Sequence, residues 1–406
     1  MVSRRVHPAH GPGGLERHVF DLVTQLADEG IEIDLYSETP DEEARLVEAE
    51  RAFSSPVTLK WVRPGPLPLG RRKGTVVLDR ITNYFVWSQR VARQIMEEDA
   101  RPSVVHAHGL GGWGLARLSR SGRLGSPLVT TMQGLEEFRS HLRLKHLAYA
   151  PFRLGIRAIA RHSTAIVTTD VALQSVVEQH LGVVPADQTV IPNAVNPDQC
   201  CQLGDVDSGH ALLESRGLRQ PSPLFLSVGR IEANKGFDVL VEALAEAAHR
   251  LPPTWAWLLV GDGPERAAVQ RAIERAGIGS RCVLFGRATE AELHSLYAVA
   301  SWFVHPTRYE GSSLATLEAM AHSLPVLASR TGGLPDKVTH GVSGFLVAPG
   351  NARELAERVA TSIEVDRDAF GEAGRQLCET RFSWTVVRRQ YLDLYERLIR
   401  FAIGEP

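Results

Sequence analysis

No stretch of this 406-residue chain approaches the roughly 20 consecutive apolar residues that a bilayer-spanning helix needs. The opening MVSRRVHPAHGPGG also lacks the apolar core of a signal peptide. A soluble, cytoplasmic protein is expected on that basis. Cysteine is scarce: Cys200, Cys201, Cys282 and Cys378 show neither Cys-x-x-Cys nor Cys/His spacing, which argues against a zinc site and for reduced, structural thiols. An excess of one charge is missing as well. The formal net charge of -2 excludes the uniform basic field of a general nucleic-acid binder, so no nucleic-acid partner is expected. The Gly-x-Gly-x-x-Gly spacing of Gly109, Gly111 and Gly114 follows a strand, but the next strand reading, 128–131, ends with no ribose-binding acid, which disfavours a nicotinamide-dependent dehydrogenase.

What is present suffices for two cores, since a single core stops growing near roughly 250 to 300 residues. Short β-branched runs at 31–36, 57–62, 104–108, 128–131, 165–169 and 189–191 alternate with helix-period segments. The pattern restarts at 224–228, 255–260, 282–285, 302–305, 325–328 and 345–347. Such alternation predicts an α/β chain of two doubly wound Rossmann-like domains. Between them, apolar periodicity fades into glycine, aspartate, serine and proline. The expected division is therefore a domain at 1–204, a linker at 205–221, a domain at 222–382 and, at 383–406, an amphipathic helix crossing back to the first domain. Its apolar stripe is Trp384, Val387, Tyr391, Leu394, Leu398 and Phe401. Only residues 2–6 are available for a first strand, about half a typical one. A misplaced start codon would account for that.

Ligands of open α/β sheets bind beyond the carboxyl ends of strands. Three loops there stand out. In SVGRIEANKG, Arg230 and Lys235 offer a planar fork and a point charge that suit a diphosphate, although an ordinary solvated loop also carries cations. In HPTRYEGSSLATLEAM, Ser312 or Ser313 can cap a helix, and free N–H groups at Ser313 and Leu314 together with the helix dipole favour an anion. Glu318 would lie roughly 8 Å along that helix, within reach of ribose hydroxyls. Glu310, outside the helix, is free to meet a sugar. Each glutamate taken alone is as well explained by a solvated surface. Finally, Gly261 and the pair Gly286 and Arg287 close two strands where backbone can approach a base and ribose, or where simple turns suffice.

The order SVGR, Lys235-Gly236, GDGPE, Glu310-x7-Glu318 with AMAHSLPVLAS, then GGLPDKVTHGVSGFLV resembles glycosyltransferase family 4, the retaining enzymes of two-domain GT-B architecture, over nearly the whole chain. The resemblance implies two domains facing across a cleft, the first binding the acceptor and the second a nucleotide sugar. It assigns Arg230 and Lys235 to the donor diphosphate, Glu310 to the transferred sugar and Glu318 to the ribose. No metal and no cofactor are implied, because the cations and the helix start take a metal's place. EGSSLATLEAM has serines where the family often has Phe-Gly.

In the first half, HPAHGPGGLERH resembles the family's glycine-rich loop, with Gly13 and Gly14 near the donor and Glu16, Arg17 and His18 near the cleft; a plain helix start would use the same glycines. In HAHG, the i and i+2 histidines share a face, and the resemblance places His108 beside the reacting sugar carbon. Gln133 in TTMQG stands where many relatives have histidine; it can still hydrogen-bond an acceptor but cannot carry a proton. Residues 139–162 hold six basic side chains and no acidic one. They suit an anionic membrane surface and a peripheral location on its inner face, or a lipid-linked acceptor; a solvated helical surface is the alternative. The expected reaction is hexosyl transfer from a UDP- or GDP-sugar to a hydroxyl of a glycan, lipid-linked or small-molecule acceptor. A sugar-nucleotide epimerase of the same architecture and a silent sugar-nucleotide-binding protein are the rivals.

Overall fold

The structure, a computed structural model, describes residues 1–11, 13–64, 76–98, 102–135, 138, 149–182 and 187–404. The chain divides into unit 1, Met1–Pro192 with Arg388–Pro406, and unit 2, Asn193–Val387.

Unit 2 is built on six parallel strands: β7 (Leu224–Val228), β8 (Ala256–Val260), β9 (Cys282–Gly286), β10 (Trp302–His305), β11 (Val326–Ser329) and β12 (Gly344–Val347). Their order across the sheet is β12-β11-β10-β7-β8-β9. The chain thus winds outward from β7 through β8 and β9, returns beside β7 as β10, and winds the other way. Alternate residues feed two separate cores. Leu224, Leu226, Ala256, Leu258 and Val260 join one, and Phe225, Trp257 and Leu259 the other. Helices cover both faces, which is why these strands read as unbroken apolar runs. Each fully buried leucine or phenylalanine contributes about 1.5–3 kcal/mol.

In unit 1, β1 (Ile33–Glu38) pairs with β2 (Val57–Val62), while β3 (Val105–His108), β4 (Leu128–Met132), β5 (Ala165–Thr168) and β6 (Asp187–Val190) form a second parallel set. Residues 2–6 do not form the short strand expected. Val2 alone bridges both Tyr36 of β1 and Ala107 of β3, joining the two sets into one doubly wound surface.

The expected linker at 205–221 instead carries the helix Val206–Ser215, started by Asp205, whose carboxylate accepts from the Ser208 N–H at 2.7 Å. Leu213 and Leu218 are buried in unit 2. Gly209, which reads as a loop signal, is there because a Cβ would lie 2.4 Å from the Ser295 carbonyl oxygen of the neighbouring helix. The last helix, Trp384–Ile403, starts in unit 2 and continues into unit 1. Its stripe is buried through Leu398, but Phe401 is 78% exposed, so the core-facing stripe ends a turn earlier than the spacing predicts.

Candidate functional site

Winding reverses in unit 2 between β7 and β10, so the loops leaving those two strands lie at the topological switch point, where open α/β sheets bind ligands. Both loops are held close. Gly236 has φ +68°, and a Cβ there would sit 2.1 Å from the Pro306 carbonyl oxygen. Arg308 grips both carboxylate oxygens of Asp238 at 2.8 and 2.6 Å, and the Thr307 hydroxyl donates to the Asn234 carbonyl at 2.9 Å.

That approach brings Lys235 Nζ to Glu310 Oε2 at 2.6 Å, across 75 residues of sequence. His305, the last residue of β10, places Nε2 2.6 Å from the same oxygen. Burial acts to raise the Glu310 pKa, but the His305 hydrogen bond and the Lys235 charge outweigh it and hold the carboxyl well below the usual range. Burial also lowers the His305 pKa, so the ring is neutral and Nε2–H is the donor. His305 Nδ1 is buried with no hydrogen-bond partner among the described residues. Glu310 is therefore a fixed, ionised carboxylate. Arg230 differs: its side chain is 76% exposed and pairs with Glu232 at 2.8 Å.

Beyond Glu310, Ser313 caps the helix Leu314–Ala321, its Oγ accepting from the Thr316 N–H at 3.2 Å. The first N–H groups, from Leu314 on, are thereby directed out of the helix start. Ser312 precedes the cap and accepts a hydrogen bond from Lys337 Nζ at 2.9 Å. Glu318 lies on this helix as expected, with the Tyr297 hydroxyl 3.1 Å from Oε2. Gly261 presses against the β7 loop, where a Cβ would lie 1.9 Å from the Gly229 carbonyl oxygen, and its N–H donates to Gly286 at 2.7 Å. The Phe285 ring is covered by the Arg216 guanidinium at 4.3 Å, while Arg287 is exposed. A base near this edge would meet backbone and Arg287 rather than the phenylalanine ring.

Unit 1 reverses winding between the Val2 segment and β3, and His18 meets His108 in this half. Gly13, with extended backbone, precedes the helix Gly14–Ala27. Arg17 turns along the helix to Asp21 at 3.1 Å. His18 is fully buried, its pKa lowered to about 4 by burial, and its ring centre is 5.9 Å from that of His108. His108 stacks on His106 at 4.6 Å. His106 is anchored by the Tyr395 hydroxyl at 2.6 Å and the Thr131 hydroxyl at 2.7 Å. Both ring nitrogens of His108 and Nε2 of Gln133 are buried without a hydrogen-bond partner among the described residues. Unpaired buried polar groups cost about 1–3 kcal/mol each, and a site that pairs them with a ligand recovers that cost.

Residues 139–148 of the basic stretch lie outside the described residues. In its remainder, the helix Ala150–His162, Arg157 donates to the His180 carbonyl at 2.9 Å and Arg153 is buried, so only part of that charge faces solvent. Three neighbours of the site escaped the sequence: His305, hidden as the end of an apolar strand, and the buried Tyr297 and Lys337. The histidine at a strand's carboxyl end, five residues before Glu310, was the one available signal.

Two family models match: "Glycosyltransferase Family 4" over residues 12–199 and "Glycosyl transferases group 1" over 211–377. A curated relative, the alpha-maltose-1-phosphate synthase of Mycobacterium tuberculosis, is 33% identical over 52% of this chain; the match spans 56%, just over half, of that enzyme's length. Two solved structures cover 94% or more of both chains compared. They are the sucrose-phosphate synthase of Thermosynechococcus elongatus (TM-score 0.76, 23% identity) and HepE of Anabaena in complex with UDP (TM-score 0.73, 21% identity). With its two halves matched by the two models in turn and its fold matched throughout, the chain belongs to glycosyltransferase family 4 and has the GT-B fold.

Proposed function

We propose that this chain transfers a hexosyl group from a nucleotide diphosphate sugar, UDP- or GDP-linked, to an acceptor hydroxyl with retention at the anomeric carbon. The observation that carries the proposal is the meeting of Lys235, Glu310 and His305 at the switch point of unit 2, beside a helix start that suits an anion. HepE of Anabaena, a structural neighbour, is described in complex with UDP, which supports a uridine nucleotide as the first donor to try.

In this proposal the donor diphosphate lies against the N–H groups after Ser313, with Arg230 and Lys235 offsetting the charge that grows on the leaving phosphate. Glu318 takes the ribose hydroxyls, its orientation fixed by Tyr297. Glu310 accepts from a hydroxyl of the transferred sugar through Oε1, since Oε2 is taken by Lys235 and His305. The leaving phosphate accepts the acceptor's proton on the face it departs from, so configuration is kept without a covalent enzyme intermediate. The cations and helix start do the work that a metal does elsewhere. Unit 1 is assigned the acceptor, through His108 and Gln133, whose buried nitrogens would gain partners from it.

Thermal-shift screening with UDP-, GDP- and ADP-sugars tests the donor class. A true donor at 100 times its dissociation constant stabilises by about 2.7 kcal/mol. The hit is then incubated with and without candidate acceptors. Transfer requires an acceptor, whereas donor isomerised by the protein alone would favour an epimerase and donor bound but never consumed would favour a silent binder.

A further inference from the structure

Lys337 is the one lysine that unit 2 buries completely among the described residues, at 0% exposure. Burying an ammonium is costly, and an apolar side chain of similar volume would fill the same space at lower cost. Its surroundings point to what the charge does. Nζ donates to Ser312 Oγ at 2.9 Å and lies 3.5 Å from the Gly333 carbonyl. Ser312 is also held from its backbone, where Asn193 Nδ2 donates to its carbonyl at 2.9 Å. The Gly333 N–H in turn donates to the Gly311 carbonyl at 3.1 Å. Lys337 thus ties its own segment, 333–337, to the one that holds Ser312, the residue between Gly311 and the helix cap Ser313. Its charge also reaches the buried His305 ring, where it opposes protonation.

We infer that Lys337 is a positioning residue for the donor site: acting through Ser312, it fixes the Glu310-to-Ser313 loop and adds a buried positive charge behind the point where the diphosphate sits. The inference rests on the donor site proposed above. It also explains a local departure in this chain, the Ser312-Ser313 pair in place of an apolar-glycine pair. A serine at 312 gives the buried ammonium a hydrogen-bond acceptor that a phenylalanine could not.

The test is calorimetric titration of UDP and GDP, and of the corresponding nucleosides, into wild type, Lys337→Met, Ser312→Ala and the double variant. Methionine keeps the stem and removes charge and donor. For the nucleotide that wild type prefers, Lys337→Met should weaken diphosphate binding by on the order of tenfold or more, the scale of one charge-assisted hydrogen bond, and leave nucleoside binding unchanged. Ser312→Ala should act in the same direction. The double variant should be no worse than Lys337→Met, because both changes break one linkage. The Tm of Lys337→Met should not fall, since a buried charge is being replaced by an apolar group. Diphosphate binding equal to wild type, or equal loss for nucleoside and diphosphate, overturns the inference. Should Lys337→Met not fold, Ser312→Ala decides by the same comparison. Wild type that binds neither nucleotide sinks the donor site itself, an outcome distinct from a Lys337 variant that binds normally.

Discussion

Arg230 and Lys235 look equivalent in sequence, two cations five residues apart in one loop, and the fold separates them. Arg230 is a mostly exposed fork beside Glu232, whereas Lys235 is 19% exposed and neutralises Glu310. Removing either should lower turnover by on the order of 100-fold, the scale of one lost preorganised transition-state contact. Their stability effects should differ. Lys235→Ala leaves the Glu310 carboxylate buried with only His305 and should lower Tm by several degrees, while Arg230→Ala should leave Tm near wild type. Equal Tm changes in the two variants would show that the Lys235–Glu310 pair does not form in solution. At this scale sequence reading named both cations and both glutamates, because loop position and helix-cap chemistry are local. It could not see that Glu310 is already engaged, since its partner Lys235 is 75 residues away and is brought near only by strand order. Nor could it see His305, Tyr297 or Lys337, whose residue types also serve as ordinary core or surface residues.

Elements set the site through backbone approach. Gly332 has φ +54°, and a Cβ there would lie 1.8 Å from the Glu310 carbonyl oxygen. Gly332→Ala should therefore displace the Glu310 loop and reduce turnover at least tenfold, with a loss of stability of roughly 1–3 kcal/mol for the strained backbone; kinetics and urea denaturation measure both, and wild-type kinetics would refute this placing of the loop. Most strands were legible because a parallel sheet covered on both faces needs largely apolar runs; the 224–228 and 302–305 readings coincide with β7 and β10. The 205–221 segment was misread for the converse reason. Its helix buries few residues, Leu213 among them, and it meets its neighbour through Gly209, so polarity and glycine masked it. Val2 was obscured differently: a single bridging residue has no periodicity to detect.

At the scale of the molecule, the buried histidines link stability to pH. Burial lowers the pKa of His18 to about 4, of His106 to about 3 and of His322 to about 4, and pushes His108 well below its ordinary value. In the unfolded chain each titrates near 6.5. The unfolded state therefore binds more protons below that pH, so the contribution is complete above about 6.5 and is lost as pH falls toward 4. The urea midpoint should drop between pH 7.5 and pH 5.0, a range in which unfolded carboxylates stay largely ionised. A flat profile there would mean that these rings are hydrated in solution. The doubly wound architecture was readable from alternating runs, since each run feeds a core. The order of strands was not, and it is strand order that sets Lys235 against Glu310.

The most direct measurement is a crystal structure of the protein with the nucleoside diphosphate that it binds. The diphosphate is expected at the β7–β10 switch point, against the N–H groups after Ser313 and within hydrogen-bond reach of Arg230 and Lys235, with the ribose hydroxyls on Glu318. A nucleotide bound elsewhere, or bound here with its ribose turned away from Glu318 and its phosphates away from Lys235, would contradict this placing.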